Sequence, residues 1–130
     1  MLHRAAPDDE AEVVELFEIY ESALVRNDVA VLDAMFVATD DVLRFGIADV
    51  QRGHDELVAW RAGATPVDAR RRITSRSVAG LAPGVVAVDV TFANGDDPVI
   101  GRQSQTWVRR PEGWRIARAH VSTIPRPAEH

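Results

Sequence analysis

Residues 100–123 read IGRQSQTWVRRPEGWRIARAHVST. The stretches Ile100 to Arg109 and Trp114 to Thr123 predict two long strands, closed into a hairpin by Arg110-Pro111-Glu112-Gly113. Working upstream, Val85 to Phe92 and Ile73 to Leu81 read as two more strands. Their turns are Ala82-Pro83-Gly84 and Asn94-Gly95-Asp96-Asp97-Pro98. Four strands in succession joined by short turns predict an antiparallel sheet.

What precedes the strands is helical. Val13, Leu16, Phe17, Tyr20, Ala23 and Leu24 recur at steps of three and four, which predicts an amphipathic helix from Asp9 to Arg26. Asp8, Asp9 and Glu10 suit its positive start, and Asn27-Asp28 supplies a stop and a fresh N-cap. A second, short helix is expected over Val29 to Phe36, and a third over Asp55 to Ala62. Between them Asp40-Asp41 breaks the pattern, and Val42 to Ile47 reads as a strand. Grouped helices followed by grouped strands imply an α+β domain, with N-terminal helices packed on a curved, mainly antiparallel sheet that encloses a pocket.

The 130 residues fit one domain, 1–130, with frayed ends expected at about 1–8 and 124–130. Fifteen basic against twenty acidic side chains give a net charge of −5, which disfavours a nucleic-acid or anionic-membrane role. Every one of the fifteen is arginine, so lysine Schiff-base and phosphate-loop chemistry are excluded. The absence of cysteine removes thiol nucleophiles and thiolate metal sites. No apolar run reaches a membrane span, and the start turns acidic at once, so a cytoplasmic protein is expected.

Few residues remain to carry chemistry. Tyr20, the single tyrosine, sits on the apolar stripe. It is either a core aromatic or a phenol pointing into the pocket as a proton donor. Arg44 lies on a strand with Leu43 and Phe45 on one face and Val42 and Gly46 on the other. It is either a rim residue or a partly buried guanidinium that needs a carboxylate from the protein or from a ligand. Gln103, Gln105 and Trp107 share a strand face, which suits a planar, hydrogen-bonding ligand or else an edge or dimer contact. Trp114, Ile116, Arg118, His120 and Ser122 are expected on one face of the last strand. No second histidine stands at metal-ligand spacing from His120, so no metal site is expected. His54 reads as a cap or surface residue, and Arg70-Arg71-Arg72 as a solvated strand entry.

Four stretches carry a resemblance to a known family. They are Phe17 to Leu24 with Asn27-Asp28; Arg44-Phe45-Gly46; Trp60-Arg61-Ala62; and Gly101 through Trp114-Arg115-Ile116 to Ala119-His120-Val121-Ser122. Together they cover nearly the whole chain. This order resembles the nuclear transport factor 2-like (SnoaL-like) superfamily, and within it the AtzH-like family, oxalurate-catabolism protein HpxZ included. The chain departs from the family pattern at Arg52-Gly53-His54, where a Tyr-Gly motif is usual, and in the 63–72 connection.

The resemblance implies a cone-shaped protein that forms a homodimer or higher oligomer through its sheet and has a functional link to an amidase. It implies a cofactor-free decarboxylase of a small N-carboxylated urea such as 1,3-dicarboxyurea, with Tyr20 and Arg44 as the catalytic pair. Arg61, Gln103, Gln105 and His120 stand as substrate-binding candidates. Two other readings stay open. One is a non-catalytic ligand-binding or assembly module for a partner amidase. The other is a SnoaL-like lyase or isomerase that uses a pocket carboxylate, with Asp33, Asp40, Asp41 and Asp89 as candidates.

Overall fold

The computed structural model describes residues 7–127. Its elements run α1 (Pro7–Arg26), α2 (Val29–Ala34), β1 (Leu43–Phe45), β2 (Val50–Arg52), α3 (His54–Gly63), β3 (Arg71–Ala82), β4 (Val85–Asn94), β5 (Val99–Arg110) and β6 (Gly113–Pro125). The expected α+β architecture is present. Of the expected frayed ends, residues 7–8 open α1 and 124–125 close β6, while 1–6 and 128–130 lie outside the described residues.

One six-stranded sheet has the order β2-β1-β6-β5-β4-β3. All neighbours are antiparallel except β1, which runs parallel to β6. The helices cover one face of it. On α1 the buried positions are Val13, Phe17, Tyr20, Ala23 and Leu24, spaced three and four apart so that one stripe meets the sheet. Beneath them lie Val86, Val88, Val90, Trp107, Trp114 and Ile116, with Leu32 from α2, Leu57 from α3 and Phe36, which follows α2 and bridges to Ile116 where the sequence predicted helix.

The acidic start of α1 does more than suit the helix dipole. Asp9 accepts a hydrogen bond from the Gly84 amide at 3.0 Å and an ion pair from Arg109, while Glu10 accepts from the Gly80 amide at 2.9 Å. These bonds fasten the first turn to the β3–β4 hairpin. At its other end α1 closes with Asn27 at φ 54°, the left-handed conformation that asparagine tolerates. Asp28 N donates to Ala23 O at 2.9 Å and Asn27 N to Leu24 O at 3.1 Å, which uses up the last carbonyls. Asp28 then caps α2 by accepting from Val31 N at 3.4 Å.

Two features depart from the sequence reading. The strand β2 was not expected: three residues are too few for alternation to register. The second is a bulge in β6. Thr106 pairs with Arg118 but Trp107 pairs with Ile116, so Ala117 is an extra residue. Trp114 and Ile116 face the core, and beyond the bulge Ala119 is buried while Arg118 and His120 are exposed. The single face expected for Trp114, Ile116, Arg118, His120 and Ser122 is therefore broken after Ile116.

Candidate functional site

A cavity of about 90 Å³ opens where α1 and α3 meet β1, β5 and β6. One water needs roughly 10–15 Å³, so there is room for a small molecule. Tyr20, Arg44, Trp60, Arg61 and Gln103 are on its wall, and the segment Ala64 to Val67 after α3 borders it.

Tyr20 arrives there from the core stripe of α1. Its ring stands edge-on to Phe36, with centroids 6.2 Å apart, and the residue is only 5% exposed. No group among the described residues is hydrogen-bonded to its hydroxyl. Burial raises the phenol pKa above its usual 10.0, since a phenolate would lose its hydration. The guanidinium of Arg61 opposes that shift, Glu21 adds to it, and Arg44 and Arg71 oppose it more weakly. The group is a neutral, protonated donor at physiological pH.

Arg44 comes from β1, and its side chain is 13% exposed. The guanidinium carbon sits 4.0 Å from the centre of the Trp60 ring, a cation–π stack that fixes its plane. Nη1 donates to Asp49 Oδ1 at 2.7 Å and to Gln51 Oε1 at 2.8 Å, and Gln51 Nε2 donates back to Asp49 at 2.9 Å. Gly46 makes this triangle possible. A Cβ there would stand 2.2 Å from Asp49 Oδ1 and 2.6 Å from Arg44 Nη1. The question left open by the strand pattern has a physical answer: the protein supplies the carboxylate, from the turn between β1 and β2.

Arg61 projects from α3 with a side chain 7% exposed. Its Nε donates to Asp33 Oδ1 at 2.7 Å, and its carbon lies 5.3 Å from the Trp60 ring centre and 5.7 Å from that of Phe36. Its Nη2 is buried and has no hydrogen-bond partner among the described residues. A buried donor left that way costs about 1–3 kcal/mol, and more when charged. His54 Nε2 lies 2.9 Å from the Asp33 carbonyl oxygen, which can only accept, so that nitrogen carries the proton. The histidine thus ties the start of α3 to the end of α2.

Gln103 is buried on β5 and its amide is held on both sides. Arg71 Nη2 donates to its Oε1 at 3.0 Å, and its Nε2 donates to Glu21 Oε2 at 3.3 Å. Arg71 also makes a two-pronged ion pair with Glu21, at 2.9 and 3.2 Å. The Arg71 side chain is 4% exposed and sits 3.9 Å from the centre of the Phe92 ring. A solvated strand entry describes Arg70 and Arg72 but not Arg71. Its alternate position on β3 turns it inward.

Tyr20, Arg44, Arg61 and Gln103 therefore share one cavity, and two other candidates do not. Gln105 faces inward too, but it is buried under the helices and accepts from Trp107 Nε1 at 3.1 Å. The indole engages its carbonyl, and the residue is not on the wall of this cavity. His120 is turned to the opposite side of the sheet by the Ala117 bulge and packs edge-on against Phe45 at 5.7 Å. It borders a separate outer groove with Leu43, Thr106 and Arg118. Of the four carboxylates considered for an isomerase, Asp40, Asp41 and Asp89 are exposed, and Asp33 is engaged by Arg61. Asp49, Gln51 and Glu21 shape the site without having been singled out as parts of it. The strand carrying Gln51 is too short to read, and Glu21 sits on the edge of a helix face that its neighbours mark as polar.

Among the described residues no helix is long and apolar enough to cross a membrane, and no group of three His, Asp or Glu is placed to hold a metal ion.

Similar proteins fit this architecture. The AtzH-like family profile matches residues 5–127. A cystatin-like fold protein from Burkholderia xenovorans LB400 is 38% identical, with 98% of this chain and 100% of that chain covered and a TM-score of 0.91. A protein from Pectobacterium atrosepticum SCRI1043 is 35% identical over 92% of this chain and 93% of its own, with a TM-score of 0.87. A nuclear transport factor 2-like protein from Pseudomonas putida KT2440 shares the fold at 18% identity, covering 91% and 88% of the two chains with a TM-score of 0.75. No curated protein matches the chain.

Proposed function

This chain belongs to the AtzH-like family, and on that premise we propose that it is a cofactor-independent decarboxylase of a small N-carboxylated urea, acting in nitrogen catabolism. The observation that carries the reading is the Tyr20 hydroxyl, to which no described residue is hydrogen-bonded, on the wall of one small cavity that Arg44 and Arg61 also line.

Arg61 and Arg44, both on the cavity wall, orient the carboxylate, the second from its stack on Trp60. Tyr20 faces the carbamate nitrogen. As the bond between that nitrogen and the carboxyl carbon breaks, its electron pair stays on nitrogen, which takes the phenol proton, and carbon dioxide leaves. The phenolate is stabilised by the nearby guanidinium groups until water from the mouth of the cavity returns its proton. Proton transfer by a positioned side chain of this kind contributes about 10²–10⁴-fold.

The test is carbon dioxide release from 1,3-dicarboxyurea and from carboxybiuret by the wild type, Tyr20→Phe and Arg44→Ala. Release above the spontaneous rate that both substitutions abolish is the expected result. Release no faster than in buffer, together with co-purification of an amidase, would favour an assembly module instead.

A further inference from the structure

We infer that Arg71 and Glu21 are positioning residues: standing behind the cavity wall, they lock the Gln103 carboxamide in one sense, so that it reads the carbonyl and N–H of a ureide. The inference rests on the functional reading above and assigns the contact made to the uncharged part of its substrate.

Of these three residues only Gln103 is on the wall of the cavity. They converge from distant parts of the chain, Glu21 from α1, Arg71 from the first position of β3 and Gln103 from β5. Arg71 is itself held before it reaches the amide. Its two-pronged pair with Glu21 fixes one edge of the guanidinium, and its face lies against the Phe92 ring. That ring rests on Gly101, where a Cβ would stand 2.3 Å from two of its carbons, so a residue without a side chain is needed beneath it.

The lock follows from donor and acceptor chemistry. A guanidinium only donates and a carboxylate only accepts. Gln103 Oε1 therefore faces Arg71 and Nε2 faces Glu21. The flipped amide would set donor against donor and acceptor against acceptor. Holding it this way uses one of its two N–H groups and one of its two lone pairs, and among the described residues no other group bonds to the remaining ones. A ureide is the matching ligand chemistry, since it offers a carbonyl oxygen and N–H groups and carries no charge there. Both 1,3-dicarboxyurea and carboxybiuret contain that group, so Gln103 serves either substrate in the same way.

Stable probes test this apart from turnover. N-Carbamoylglycine joins a ureide to a carboxylate, and 4-methylpentanoate is the hydrocarbon of the same shape with the same carboxylate. Isothermal titration calorimetry on the full chain is expected to show N-carbamoylglycine binding at least about tenfold more tightly, because the hydrocarbon leaves the Gln103 amide unpaired. Gln103→Leu should abolish that preference. Arg71→Lys keeps a charge opposite Glu21 but has no planar fork to serve both partners, and should lower the preference at least about threefold. In a Gln103→Leu background the same substitution should change it no further, whereas a merely structural role for Arg71 would act equally in both backgrounds. Glu21→Gln, expected to behave as Arg71→Lys does, covers the case in which that variant fails to fold.

Equal binding of the two probes by the wild type, failure of both to bind, or a preference that survives Gln103→Leu overturns the inference. So does a preference that Arg71→Lys and Glu21→Gln leave unmoved, or lower equally with and without Gln103. Carbon dioxide release is scored separately. Release without the preference leaves decarboxylation standing and removes the ureide contact, and the preference without release does the reverse.

Discussion

Asp33 grips Arg61 through Nε, at 2.7 Å, while Nη2 is buried and has no hydrogen-bond partner among the described residues. The pair fixes the guanidinium by one edge. Removing one member is expected to be costly, because the other charge stays buried. Arg61→Met should lower unfolding free energy by about 3 kcal/mol in urea titrations, and Asp33→Asn combined with Arg61→Met should recover part of that loss. Full additivity of the two single effects would show that the pair is not coupled.

Tyr20→Phe separates stability from chemistry. The hydroxyl it removes has no protein partner, so stability is expected to change by no more than ~0.5 kcal/mol. Carbon dioxide release is expected to fall about 10²–10⁴-fold. A large loss of stability instead would mean that the hydroxyl is held in the fold.

The same residue sets a pH dependence. Its folded pKa is raised above the unfolded 10.0, so the folded state retains a proton that the unfolded chain has already released. The stability this gives is complete below pH 10 and is lost as pH rises through the folded value. Urea midpoints followed upward from about pH 9 should therefore fall more steeply for the wild type than for Tyr20→Phe. Parallel slopes would count against a buried phenol.

Gly46→Ala tests how Arg44 is held. The new methyl would meet Asp49 Oδ1 at 2.2 Å and Arg44 Nη1 at 2.6 Å, so the pair has to part. We expect a loss of about 1–3 kcal/mol and about tenfold slower carbon dioxide release, with the circular dichroism spectrum preserved. Unchanged release would remove Arg44 from the site.

Asn27 offers a control at the cavity's edge. Asn27→Gly keeps the left-handed cap at φ 54° and should leave the melting temperature nearly unchanged, whereas Asn27→Val should cost about 1–2 kcal/mol.

The sequence was legible where a period repeats often enough. The stripe from Val13 to Leu24 put Tyr20 inside the protein, and the alternation of Gln103, Gln105 and Trp107 put all three on one face, which the structure turns inward. Arg44 was recognisable as unusual, since neither face of its strand could be assigned wholly to solvent. What the pattern could not carry was contact between distant segments. Asp33 meets Arg61 across 28 positions and Glu21 meets Arg71 across 50, and no local spacing announces either pair. His120 was misplaced for a different reason. Parity counts residues along a strand, and nothing in Arg115-Ile116-Ala117-Arg118 marks the position where the count slips by one.

That slip gives anyone redesigning the protein an unusual handle. Ala117 is a single surplus residue, and Thr106 already pairs with Arg118 across it, so deleting it would straighten β6 while every later side chain kept its side, Val121 on the cavity and His120 outdoors. The strand could thus be regularised by one deletion with the wall left intact.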